Sequence, residues 1–409
     1  MTTSLNDGVK KREVLAWASY DFANSGYTTV VLTAVFNAYF VNVVAQGAAW
    51  ATFAWTLALS LSYALVMLTL PSLGAWADQH AAKKKVLVLS TLGCILATAA
   101  LAWAQPGMLA LAVLAIVLSN WCYSIGETFI AAFLPELARP EALGRVSGWG
   151  WGIGYLGGLL CLGLCLAYVF HAQARSLPAT HYVPVTMLIV AAVYGVAALP
   201  TLLLLQERAQ PRAAQSLGLW HLLREVRQFH AFYWLLWCAL FYQAGIAVVI
   251  TLAAIYAQEV MGFTTAKTMM LILAVNITAA IGAFSFGYAQ DALGHRRALA
   301  LTLWAWLAMT TLAALSQSEL AFWVAANLAG LCMGSSQSAG RAMAGLLAPS
   351  ERRAEFYGLW AFATRLSFIL GPLTYGTLTL VTNNNHRLAI GLTGVFFLIA
   401  LGLLRRVRM

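Results

Sequence analysis

Charge is what this sequence has least of. Only 9% of its residues are Asp, Glu, Lys or Arg, whereas a soluble domain carries about a quarter, so a chain folded entirely in water is excluded. The seven histidines lie mostly in loops, and the six cysteines at 94, 122, 161, 165, 238 and 332 all fall in apolar runs, Cys161 and Cys165 on one helix face. Free cysteine in such a run behaves as a small apolar residue, and with no His or Cys set converging on it, no metal or cofactor is expected. A G-x-x-x-x-G-K-[ST] phosphate loop is missing, which argues against ATP hydrolysis by this chain and leaves a gradient as the energy source. The first thirteen residues are polar and basic with no short apolar core or cleavage site behind them, so a removable signal peptide is not expected.

What the chain has instead is apolar length, 61% of it hydrophobic. Crossing about 30 Å of hydrocarbon at 1.5 Å per residue takes about 20 residues. Twelve runs qualify, at 14–45, 50–76, 86–105, 109–134, 145–170, 182–205, 231–258, 266–289, 298–316, 319–347, 354–381 and 386–405. The expected fold is all-α and membrane-embedded, with an N-terminal six-helix bundle over 1–205, a linker over 206–230 and a C-terminal six-helix bundle over 231–409. Nineteen of the 24 Lys and Arg fall at the termini, in the linker or in alternate short loops; Arg175, Lys267 and Arg387 lie in the opposite loops, and Arg341 and Arg365 inside helices. The positive-inside rule then places both termini in the cytoplasm, and the net charge of +10 reads as topology rather than as a nucleic-acid footprint. Linker residues Leu217 to Phe229 mix bulky apolar and basic side chains, as an interfacial helix on anionic headgroups would; a solvated connector is the alternative.

The chain repeats itself. Gly74-Ala75-Trp76-Ala77-Asp78, followed by Lys83-Lys84-Lys85, is answered by Gly287-Tyr288-Ala289-Gln290-Asp291, followed by Arg296-Arg297, with the two acids 213 positions apart. Leu134-Pro135 and Gly148-Trp149 are echoed at nearly the same offset by Ala348-Pro349 and Gly358 to Trp360. Parallel halves of this kind suggest a secondary transporter with its substrate site between them near the bilayer midplane. Two such bundles enclose a complete pathway, so a monomer is the default. Asp78 and Asp291, closing their helices before a basic turn, are candidate gating residues.

A charge inside a membrane helix costs about 2.5–3.5 kcal/mol and normally faces a partner or a cavity. Glu127 stands eight residues before Pro135 and Arg341 eight before Pro349; these equivalent positions are expected to form an ion pair across the pseudo-twofold axis, separating as the cytoplasmic side opens or remaining as a permanent strut. Arg365, about eleven residues into its helix, is a candidate for a substrate carboxylate, with an internal acid as the competing partner. Asp21, Asn24 or Ser25, and Thr28 form one polar stripe on the first helix. Asn120, Gln243, Asn276, and Ser335, Ser336, Gln337 and Ser338 beside Arg341 could line the remaining walls, or each make an interhelical hydrogen bond. The glycine run Gly150, Gly152, Gly154, Gly157 and Gly158, answered by Gly371 and Gly376, marks a close helix contact or a helix that must bend.

Two groups of residues carry a family resemblance. The paired G-x-x-x-D loops resemble the major facilitator superfamily. Tyr20-Asp21-Phe22-Ala23-Asn24-Ser25, Gly154-Tyr155-Leu156-Gly157-Gly158, Gly334 through Arg341, Glu355-Phe356-Tyr357-Gly358 and Gly371-Pro372 resemble its vacuole-effluxer branch, which includes the autophagy-related permeases. This resemblance implies export of amino acids or similar small metabolites, coupled to protons, across a bacterial inner membrane. Relatives tend to carry an acid just before the glycine of the seventh helix, where this chain has Tyr242-Gln243-Ala244-Gly245; coupling would then rest on Asp21 or Glu127, or the protein would be a uniporter. An exporter of drugs or other metabolites, and a non-transporting receptor or scaffold, are the alternatives. A membrane enzyme would need acids and histidines clustered at one membrane face, and these are lacking.

Overall fold

The structure, a computed structural model, describes residues 4–211, 219–263, 265–383 and 385–408. Its twelve long helices are α1 (Lys11–Val44), α2 (Ala51–His80), α3 (Lys83–Trp103), α4 (Leu109–Ala132), α5 (Leu143–Ala174), α6 (Ala179–Leu204), α7 (His230–Glu259), α8 (Thr265–Leu293), α9 (His295–Leu315), α10 (Glu319–Leu347), α11 (Arg353–Val381) and α12 (His386–Leu404). Ten contain a stretch long and apolar enough to span a membrane. The two that do not, α10 and α11, carry Ser335, Ser336, Ser338, Arg341 and Glu355, all buried. These polar groups face protein rather than lipid, so hydropathy alone undercounts the spans.

Helix α1 departs from regular α geometry, passing through π turns at Thr28–Ala34 and Phe40–Val44. The run Thr28-Thr29-Val30-Val31 crowds the preceding turn with β-branched side chains. The Thr33 hydroxyl donates to the carbonyl of Thr28, five residues back (3.0 Å), in step with the widened turn.

Helices α1–α6 form one bundle and α7–α12 the other. Their common origin shows in the packing: the Tyr20 hydroxyl sits on Gly126 as the Tyr242 hydroxyl sits on Gly340, which makes Asp21 the counterpart of Gln243 and Glu127 the counterpart of Arg341. The bundles meet along two seams, α2 with α11 and α5 with α8. Both need glycine. A Cβ on Gly74 would lie 2.5 Å from the Ala354 carbonyl oxygen, and one on Gly148 2.4 Å from that of Ala283. The glycine run of α5 serves three partners: Gly152 faces Phe284 of α8, Gly154, Gly157 and Gly158 face α1, and Gly150 faces Asp21, Trp17 and Arg341.

Hydrogen bonds and ion pairs between the bundles run from the end where the basic loops cluster to mid-helix, where the Tyr63 and Phe368 rings meet (6.3 Å). That basic end is closed. The N-terminal segment docks there, with Asn6 donating to the Leu137 and Pro135 carbonyls. The start of the linker docks there too: Arg208 forks Glu13 with two bonds of 2.7 Å, and Glu207 accepts from the backbone N–H groups of Lys83 and Lys84. Of the expected interfacial helix, Leu217 and Gly218 lie outside the described residues. Leu219–Glu225 is helical, Leu222 and Val226 are buried in the protein, and Glu225 pairs with Arg352. The carboxylates facing Arg208 and Arg352, Glu13 and Glu355 foremost, hold both guanidinium groups above their ordinary pKa.

Candidate functional site

Two ion pairs deep within the helices join the bundles, and neither is the pair the sequence suggested. Arg341 does not meet Glu127. Its Nη1 donates to Asp21 at 2.6 Å, while Nε and Nη2 donate to the Ser147 hydroxyl (3.1 Å) and carbonyl (2.8 Å). The rings of Trp17 (4.8 Å) and Trp151 (5.4 Å) flank the guanidinium, so its donors and its faces are both occupied. The tight packing depends on Gly150, where a Cβ would strike Asp21, Arg341 and Trp17. Glu127 pairs instead with Arg365 of α11, between the rings of Tyr63 (5.7 Å) and Tyr123 (6.0 Å). Equivalence under the duplication places Glu127 and Arg341 at matching depths, but it does not make them neighbours. Each reaches across to another helix of the other half.

The two pairs differ in access. Arg341 and Asp21 keep 4% and 10% of their side-chain surface, whereas Glu127 keeps 31%. The Arg365 Nε is buried without a hydrogen-bond partner among the described residues. Glu127 and Arg365 therefore offer a half-buried carboxylate and an unused donor.

The loop acids close the same end. Asp78 accepts from the backbone N–H of Ala354 (3.2 Å) and Glu355 (2.9 Å) in the first turn of α11. Asp291 accepts from those of Gly144 (3.0 Å) and Arg145, and from the Arg145 Nε (3.2 Å). Neither α5 nor α11 has a side-chain cap of its own, so each half supplies the other's missing N-cap, aided by the helix dipole. Asp78→Ala is expected to weaken closure about five-fold, one cap of roughly 1 kcal/mol, measured as faster alkylation of a cysteine engineered at the basic-end seam. Unchanged alkylation would show that the cap does not hold the seam.

The other candidates divide. The stripe on α1 is not one surface: Asp21 turns to α10, while Asn24 turns into its own bundle and accepts from the Tyr194 hydroxyl (2.8 Å). Thr28 donates to Ser25 of its own helix and Asn276 to Ile272 of its own. Asn120 donates to the Ser62 hydroxyl on α2 (3.0 Å). Gln243 and Gln337 form a reciprocal amide pair between α7 and α10. The sequence reading missed Ser147, Trp17 and Trp151 around Arg341, Tyr63 and Tyr123 around Arg365, and the Lys83 pair with Glu136. Scarcity was the usable signal: with 14 acids in the chain, each one near a helix invites a search for its base. Among the described residues no three His, Cys, Asp or Glu side chains converge as metal ligands would.

A family model described as "Vacuole effluxer Atg22 like" matches residues 50–409. The chain is 26% identical over 399 residues to an uncharacterized MFS-type transporter, YxiO, of Bacillus subtilis (strain 168), covering 94% of this chain and 91% of that protein. Among solved structures it is similar to the human organic anion transporter MFSD10 (TETRAN), with 14% identity, a TM-score of 0.76, and coverage of 96% of this chain and 99% of that one. It is likewise similar to the E. coli fucose:proton symporter FucP, with 14% identity, a TM-score of 0.75, and coverage of 97% and 98%. At these identities the structural likenesses speak to the fold.

Proposed function

Because the chain belongs to the vacuole effluxer Atg22-like family of major facilitator transporters, we propose that it exports small zwitterionic metabolites, amino acids foremost, by alternating access coupled to protons. The observation that carries this reading is the Glu127 and Arg365 pair, a half-buried acid beside a base with a free donor, bridging the two bundles. A zwitterion offers both complements: its carboxylate takes Arg365 and its ammonium takes Glu127, so loading the site dissolves one cross-bundle link. The Asp21 and Arg341 pair is a second such link. A proton on Asp21 removes the charge that holds Arg341, and the closed end can then part. The basic end is read as cytoplasmic, with this structure closed to the cytoplasm. A uniporter is the second reading, favoured by Gln243, an amide tied to Gln337 where an acid would carry a proton.

Proteoliposomes loaded with a mixed amino-acid and metabolite pool test the proposal. Selective loss of zwitterions that responds to an imposed pH gradient is the expected result. Selective loss indifferent to the gradient would favour the uniporter, and no selective loss would reject amino acids. Arg365→Ala is expected to raise the apparent KM about ten-fold or more, the weight of a charged hydrogen bond. Unchanged apparent affinity would remove Arg365 from the site.

A further inference from the structure

The internal duplication exposes a vacancy at the basic end of the second bundle. In the first bundle the N-terminus of α3 is filled from within: Glu207, three residues beyond α6, accepts from the backbone N–H of Lys83 (2.8 Å) and Lys84 (3.0 Å), while the Lys84 Nζ donates to the Leu205 carbonyl (2.6 Å). Lys83 stands five residues after Asp78 as Arg296 stands five after Asp291, so the N-terminus of α9 is the matching site, and the chain beyond α12 is its matching filler. That filler has the wrong sign. Where the first half reads Leu205-Gln206-Glu207, the second reads Arg405-Arg406-Val407-Arg408, and Val407 is buried.

The space itself is a groove of about 650 Å³, walled by Arg296, Arg297 and Arg405 at its polar end and by Ala300, Trp304 and Leu401 along its length. Among the described residues none of the three arginines has an ion-pair partner, and no side chain caps α9. Trp304 is 57% exposed, and Leu301 and Leu398 on the same two helices are exposed as well. An anion is therefore called for by the helix terminus and by three unpaired guanidinium groups. An apolar continuation runs from the anion site down the outer faces of α9 and α12.

We propose that this groove binds an anionic phospholipid of the leaflet at the basic end. Its phosphodiester takes the place that Glu207 fills in the first bundle, and its acyl chain lies along Trp304 and Leu401. A free phosphate would satisfy the arginines but leave the apolar wall bare, and a zwitterionic lipid would bring its own cation among three guanidinium groups. The bound lipid completes the second bundle as the linker completes the first.

The test measures thermal unfolding of the full chain in nanodiscs of phosphatidylcholine with graded phosphatidylglycerol, alongside detergent samples given inorganic phosphate. A saturable rise in Tm with phosphatidylglycerol and none with phosphate is the expected result. Arg297→Ala and Arg405→Ala should each raise the half-saturating lipid fraction about five-fold, the weight of one basic contact, and Arg297→Lys should restore part of it. Arg405→Glu supplies a built-in carboxylate: it should melt in pure phosphatidylcholine as the parent does with phosphatidylglycerol, and gain nothing from added anionic lipid. An equal rise with inorganic phosphate, or an unshifted lipid response in the alanine variants, overturns the proposal. So does an Arg405→Glu variant that still responds to phosphatidylglycerol as the parent does.

Discussion

Arg341→Ala is expected to abolish transport and to cost about 3–5 kcal/mol of stability, the price of stranding one member of a buried ion pair. The substitution leaves Asp21 without its base, strips the Ser147 hydroxyl and carbonyl of their donors, and empties the slot between Trp17 and Trp151. Thermal unfolding and proteoliposome flux would measure the two losses separately. The decisive companion is Asp21→Leu with Arg341→Met, which replaces the pair by apolar groups of similar volume. Such exchanges are often neutral or stabilising, so the double variant should recover stability yet remain unable to transport. If it transports at the parental rate, the pair is only a strut.

Gly148→Val should have the second largest effect, opening the end that this structure shows closed. Its Cβ would fall 2.4 Å from the Ala283 carbonyl oxygen and 3.2 Å from the Gly287 Cα, so the obstacle is backbone and cannot swing aside. Overpacking of this kind costs roughly 1–3 kcal/mol, enough to shift a two-state equilibrium about 5- to 150-fold. Spin-label distances across the basic ends of α5 and α8 should lengthen. Gly163→Val in the same helix, where a Cβ meets nothing within 4 Å, controls for helix propensity and should leave the distances unchanged. Equal effects from both variants would assign the change to helix propensity instead.

The duplication made the architecture legible. Asp78 and Asp291, repeated in sequence, turned out to be two copies of one contact, because capping a helix N-terminus needs only an acid at the right turn. Side-chain pairing was harder. The sequence located Glu127, Arg341, Asp21 and Arg365, yet their partners depend on which face of α1 meets α10 and on how far each arginine reaches. Two residues of α1 show why: Asp21 and Asn24, three positions apart, are separated by about 60° around the helix, enough to send one to Arg341 and the other to Tyr194. Ser147 was invisible for another reason. It holds Arg341 through its backbone carbonyl as much as its hydroxyl, and a carbonyl leaves no mark in a sequence.

The four charges of the Asp21–Arg341 and Glu127–Arg365 pairs sum to zero. Asp21 and Glu127 offset Arg341 and Arg365, so rocking the bundles about them carries no net charge through the field. A zwitterion adds none. If both readings hold, electrical current through a membrane containing this protein counts protons alone, and the ratio of that current to amino-acid flux gives the coupling stoichiometry directly.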